Sequence, residues 1–352
     1  MNIHQQQHQP MHSSMVSLAL ILGWLFAGYL FIGEGILKVP IQEPYWFTEI
    51  NFYNLFIDWK LFTLIAFIFG IRANIFSETG RHPRFFYFRS LIWAVTAVVL
   101  SVINCMSLVI IPLLIFGGIL FLLRNANRWA PFFFMLLLLM GLLAVGWIGG
   151  IPNFGMQCFT EFTTQQLLQI SFSELLGQFG HPVNIITWMY GGLVMIIGYL
   201  VGKGKWLIEY HFRYQELKRL FLLSALLFVL WVILNHYKVY QTLYNWKGGE
   251  LFYLLDAIAV QLLTLFMYLF ILIYLENFRW GLFIIRSFTK IGKLWLFNLF
   301  AIFITVWLFS LFHVTISIGW AILASLMCFI CFGTISMLIY PLFPATFRSR
   351  VY

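Results

Sequence analysis

Charge is scarce in this sequence: Lys, Arg, Asp and Glu make up 9% of its 352 residues, against about 25% in soluble domains. Hydrophobic residues make up 62%, and mean hydropathy is +0.91. A water-soluble fold of this length has no core large enough to hide that much apolar surface, whereas lipid solvates it. Cysteine is scarce as well. The four present exclude a disulfide-built scaffold. Cys328 and Cys331 have C-x-x-C spacing but sit inside an apolar run without companion ligands, so they read as small core residues. Cys105 and Cys158 fall near the outer surface, where an oxidising compartment permits a disulfide between them. No Ser-His-Asp order, phosphate loop or metal-ligand pair is present, and no cofactor is expected.

What is present is a series of apolar runs of roughly 18 residues or more, long enough for a hydrocarbon core of about 30 Å. They predict an all-α polytopic transmembrane bundle of about ten spans, near 15–33, 57–75, 88–104, 107–123, 131–151, 183–202, 218–236, 251–275, 294–313 and 316–343. Alternating polarity, which a membrane barrel needs, is missing from these runs. Residues 1–14 form a polar tail, 15–343 a single transmembrane domain and 344–352 a second tail. The first run is not expected to be a cleaved signal, because Met1–Ser14 holds no Lys or Arg and no small-residue cleavage pattern follows Gly33.

Threading these spans sorts the basic residues. Seventeen of the 21 fall on one face, among them Arg72, Arg81, Arg124, Lys203, Lys218, Arg219, Lys290, Lys293 and Arg348. Only Lys38, Lys60, Lys238 and Lys247 fall on the other. The positive-inside rule makes the first face cytoplasmic, with both termini inside, in a bacterial inner membrane. Eight of the 12 acidic residues lie outside or at the outer edge. The net charge of +9 is thus mainly a topology signal, and without a soluble basic domain no nucleic-acid partner is expected. His4, His8 and His12 share a four-residue spacing, but Pro10 opposes the helix that would align them.

Two outer loops are long, 34–59 and 152–182, and residues 160–178 have the pattern of an amphipathic surface helix. Trp and Tyr cluster at span ends, Trp129 and Trp147 among them, as interfacial anchors do. Gly198 and Gly202 form a G-x-x-x-G pair that lets a neighbouring helix approach closely, and Gly141 and Gly146 act alike.

Ionisable or amide groups at membrane depth are expensive and mark candidate sites. They are Glu34, Asp58, Lys60, Arg72, Asn104, His236, Asp256, Gln261, Asn298 and His313. His313, Asp256 and Glu34 have the chemistry for proton transfer. Lys60, Asp58, Arg72 and Asn298 suit substrate binding. Asp58 and Lys60 are two residues apart and point to different sides of a helix, so Lys60 is expected to pair with Asp256 or Glu34 from another span. Asn298, among Leu296, Phe297, Leu299 and Phe300, has no local partner and is expected to face the bundle interior. Arg81, Arg84 and Arg89 read as topology determinants around a cytoplasmic loop.

Three segments resemble the YeiB-like family of polytopic bacterial inner-membrane proteins. Lys60–Gly70 (KLFTLIAFIFG) is similar to its K-F-x-x-L-F-S-x-L-F-G motif. Gly292–Asn298 (GKLWLFN) resembles its G-R-M-A-L-T-N-Y stretch, with Gly and Asn in register. Gly198–Leu207 (GYLVGKGKWL), followed by a basic loop, resembles the exit of its sixth span. Through a distant similarity to membrane acyltransferases, the family implies acyl or small-molecule transfer toward the outer face, with an acyl donor or small molecule as partner besides the bilayer. The chain departs from the family pattern. His12-Ser-Ser-Met-Val stands where the family has an Asp and an Arg at the start of its first span, Ser101 lies near the place of a His late in the third, and the following loop lacks the Gly-Asp pair. A transporter is the second reading, and a non-catalytic membrane partner protein the third.

Overall fold

The computed structural model describes residues 60–78, 110–127, 129–149, 181–204, 214–236, 249–275 and 318–339, with the single positions Leu91, Val95, Trp280, Gly281, Phe283, Ile291, Asn298, Ala301, Ile302, Ile304 and Thr305. Among the described residues all regular structure is helical. The helices are α1 (Lys60–Glu78), α2 (Ile110–Leu122), α3 (Ala130–Gly149), α4 (Pro182–Lys203), α5 (Tyr214–His236), α6 (Gly249–Leu275) and α7 (Ile318–Ile339). Each falls on one of the apolar runs marked from the sequence.

Helix is the outcome because an apolar segment without water must satisfy its backbone internally. The ends follow local chemistry. Pro182 opens α4, where its missing N–H costs nothing, and the Ile185 N–H donates to the His181 carbonyl at 3.0 Å as the first bond of the helix. Gly204 follows Lys203 and donates back to the Leu200 carbonyl at 2.8 Å, closing the last turn. Between α2 and α3, residues Leu123–Asn125 tighten into a 3-10 turn and Ala126 becomes extended. Arg124 lies over the Phe121 ring there, 4.5 Å from its centroid, so its charge stays at the turn.

Among the described residues three helices are long and apolar enough to cross a membrane: α3 over Ala130–Ile148, α4 over Asn184–Lys203 and α6 over Leu254–Ile271. This is a membrane protein with transmembrane helices. Trp129 and Trp147 are both exposed at the two ends of α3. Eighteen residues of helix separate them, roughly 27 Å at 1.5 Å per residue, close to the thickness of a hydrocarbon core. They fit the aromatic belts at the two interfaces.

The Cα positions cluster into two compact units. One comprises Met1–Ile65, Gln215–Ser224 and Thr264–Tyr352, the other Ala66–Tyr214 and Ala225–Leu263. In the second unit α2 and α3 both pack on α4. α4 lies between them, with 67% of its span buried against 22% of the α3 span. Glycine permits this. The Phe116 ring of α2 lies over Gly192, where an added Cβ would come within 2.7 Å of ring carbons, and it meets Phe134 of α3 at 6.3 Å. The α1 contact is tighter. A Cβ on Gly198 would run into the Phe67 carbonyl, and one on Gly70 into the Met195 carbonyl, so the two backbones touch at a pair of reciprocal glycines. Gly202, one turn on, lies over Ile71 and Asn74. The G-x-x-x-G pair expected from the sequence thus serves packing within the chain.

The exposed faces are apolar. Phe133, Leu137, Met140 and Ile148 stand out from α3, and α5 buries Ser224 and Phe228 while exposing Leu222, Leu226, Val229 and Leu230. Water penalises such surfaces and hydrocarbon does not.

Candidate functional site

Polar side chains buried in these helices are the starting point, since each needs a partner in a medium without water. In the second unit Asn184 and Thr187 occupy the first turns of α4, three residues apart and so on one face. Gln261 is buried in α6, and Asn74 near the end of α1. Arg72 and Asp256 are half-buried. All six are engaged in polar or ring interactions. Asp256 is a carboxylate inside the apolar stretch Leu254–Ile271, the costliest placement among them.

The first unit holds a different arrangement. Asn298 is fully buried and uses both ends of its amide. Its Nδ2 donates to the Ile291 carbonyl at 3.3 Å, and its Oδ1 accepts from the Ser336 hydroxyl of α7 at 3.1 Å. Gly333, one turn before Ser336, leaves room for Ile291, whose Cδ1 would lie 3.2 Å from an added Cβ. Thr305 donates locally to the Ala301 carbonyl at 2.8 Å and asks nothing of a neighbour. The interior orientation expected for Asn298 is what the structure has.

Of the other sequence candidates, Glu34, Asp58 and His313 lie outside the described residues, as do Asn104, Cys105 and Cys158. Lys60 is the first residue of α1, and His236 the last of α5, but their side chains lie outside the description, and with them the expected pairing of Lys60. Cys328 is half-buried and Cys331 exposed, so the second is not the core residue its setting suggested.

Sequence reasoning passed over Asn74, Asn184, Thr187, Ser325 and Ser336. A signal was available. Asn184 and Thr187, and likewise Gln261 and Thr264, are polar pairs at i, i+3 in otherwise apolar helices. Ser325 and Ser336 are eleven residues apart, close to three full turns, and both are fully buried on one face of α7.

The Ser325 hydroxyl makes no hydrogen bond among the described residues. A buried hydroxyl left unpaired costs about 1–3 kcal/mol. Ser325→Ala is therefore expected to leave the protein as stable as before or to raise its melting temperature in detergent. A loss of several degrees would show that the hydroxyl has a partner in the membrane.

No family model, curated protein or solved structure matches this chain.

Proposed function

We propose that this chain is a YeiB-like inner-membrane protein with about ten spans and both termini in the cytoplasm, and that it transfers an acyl group or another small group to an acceptor at the outer face. The observation that carries the reading is Asp256, a half-buried and engaged carboxylate within the apolar stretch Leu254–Ile271. An ionisable side chain inside a transmembrane helix is costly and is kept for function. By the charge sorting α6 is expected to start at the outer face, with Asp256 about two turns below it. A carboxylate there can take the proton of an acceptor hydroxyl as its oxygen bonds the acyl carbon, and return it to the donor's carrier group, which leaves with the electron pair of the broken acyl bond; His313 and Glu34, expected at the same side, are the other candidates for that step. Arg72, Lys60 and Asp58 are the candidates for holding substrate, whereas both ends of the buried Asn298 amide are taken by Ile291 and Ser336.

The test compares cells that make the protein with cells that lack it, measuring alkali-labile acyl esters on periplasmic and surface glycans. Ester content is expected to rise with the wild-type protein. It should fall about a hundredfold or more with Asp256→Asn, from the lower end of what proton transfer contributes. The variant should elute and melt like wild type, because the amide keeps the shape of the side chain. No ester difference between wild type and empty cells would sink the reading.

One observation favours transport as the second reading. Within one unit, buried or half-buried polar groups lie near both ends of the helices: Asn184 and Asp256 in opening turns, Arg72 and Asn74 near the end of α1. Transporters string polar groups toward the midplane from both faces. Ion-driven solute uptake into proteoliposomes, with unchanged glycan esters, would decide for it.

A further inference from the structure

The amide of Asn298 joins three pieces of the first unit, and its chemistry explains why an amide stands there. It offers one acceptor oxygen and an NH2 donor on a single short side chain. The oxygen takes the Ser336 hydroxyl, and the nitrogen reaches the Ile291 carbonyl. A leucine has neither function, and an ionised aspartate only accepts. Ile291 and Asn298 are both helical positions. In one straight helix seven residues rise about 10 Å, beyond the reach of an asparagine side chain, whose in-helix acceptors lie three or four residues back. The Asn298–Ile291 bond therefore lies outside the pattern by which a helical side chain bonds its own backbone. A second contact runs alongside it, since the Ile291 side chain lies over Gly333 of α7.

We propose that Asn298 is a clasp. It holds two helical positions seven residues apart in fixed relation and hooks both to α7 through Ser336, so that releasing one bond loosens the other. All parts are buried: Asn298 and Ser336 completely, Ile291 nearly so. Breaking either bond in this buried setting leaves a polar group unpaired, which ties the two bonds together. In sequence Ile291 stands between Lys290 and Lys293, residues expected at the cytoplasmic headgroups. An opened clasp would admit water there first. The device thus ties the C-terminal helix to the cytoplasmic edge of the chain, and it is independent of the transfer reaction.

Hydrogen–deuterium exchange of the full chain in lipid nanodiscs tests this. Ser336→Ala removes one bond and little volume. It is expected to speed exchange of the peptide spanning Ile291–Asn298 by about threefold to twentyfold, the range that interhelical hydrogen bonds cover in membranes. α4 should be unaffected. Asn298→Ala should speed the same peptide at least as much, and the double variant no more than Asn298→Ala alone, because the Ser336 bond ends on Asn298. Thr305→Val, which removes a buried hydroxyl bonded only within its own turn, should leave that peptide as in wild type. Unchanged exchange at Ile291–Asn298 in Ser336→Ala would overturn the clasp, as would faster exchange over the whole chain or additive effects in the double variant. If Asn298→Ala cannot be recovered folded, Ser336→Ala with its Thr305→Val control still decides.

Discussion

Gly198→Leu and Gly70→Leu are expected to yield no folded protein. Each new side chain would begin inside a carbonyl group of the facing helix, that of Phe67 or Met195, and a backbone carbonyl has no rotamer by which to move aside. Overpacking an ordinary core costs about 1–3 kcal/mol because side chains yield. Here α1 and α4 would have to separate, losing the contact along the whole crossing. Even Gly198→Ala should lower the melting temperature in detergent sharply. Two other glycines calibrate the effect. A Cβ on Gly202 would sit 3.3 Å from Asn74 Cβ and 3.4 Å from Ile71 Cα, so Gly202→Ala should cost little. Gly141 faces only the terminal methyl of Met189, a flexible end that can swing away, and Gly141→Ala should be nearly silent. Folded yield by fluorescence-detected size exclusion, with melting temperature, reads the series. Equal tolerance at Gly198 and Gly141 would mean that the two backbones do not touch.

Leu137→Arg is expected to lose most of the inserted protein. Leu137 is 65% exposed near the middle of α3, midway between the two exposed tryptophans. If that face met water, arginine would be neutral or would improve solubility. Facing hydrocarbon at mid-depth, it costs about 2.5–3.5 kcal/mol on the insertion scale. Leu137→Phe, apolar and bulky, should be tolerated at the same site. Membrane-fraction yield of the two variants separates the possibilities. Equal yields would remove α3 from the lipid-facing surface.

Helix positions were legible because hydrophobic length is a one-dimensional property. A run such as Ala130–Ile148 carries its own statement of how far it reaches. Asn298 was legible for a related reason, since an amide between leucines and phenylalanines has one orientation that lipid permits. Its partner was not. Ser336 lies 38 residues away, and nothing in a lone serine distinguishes it from Ser325, equally buried but without a bond among the described residues. Gly198 and Gly202 announced a close helix approach without naming the neighbour. That α1 answers, through Gly70, is a matter of three dimensions. Asp256 stood out as a charge in an apolar run, whereas Asn184 and Thr187 were overlooked because small polar residues cost little in a hydropathy average. Their significance rests on burial, which depends on what packs against them.

The central place of α4 bears on how the protein is made. α1, α2 and α3 leave the ribosome first and wait in the bilayer with no α4 to lie against. In water, faces meant for a missing partner would draw the chain into aggregates. Here the waiting surface is mainly apolar side chains and bare glycine backbone whose hydrogen bonds are already closed within each helix, with Asn74 kept to the last turns of α1, so lipid wets most of it harmlessly. α4 is the member that cannot wait, because Asn184 and Thr187 have no comfortable place among acyl chains. Assembly of this unit is therefore timed by translation, with the chain's own synthesis acting as its chaperone until the fourth of these helices arrives and draws the other three around it.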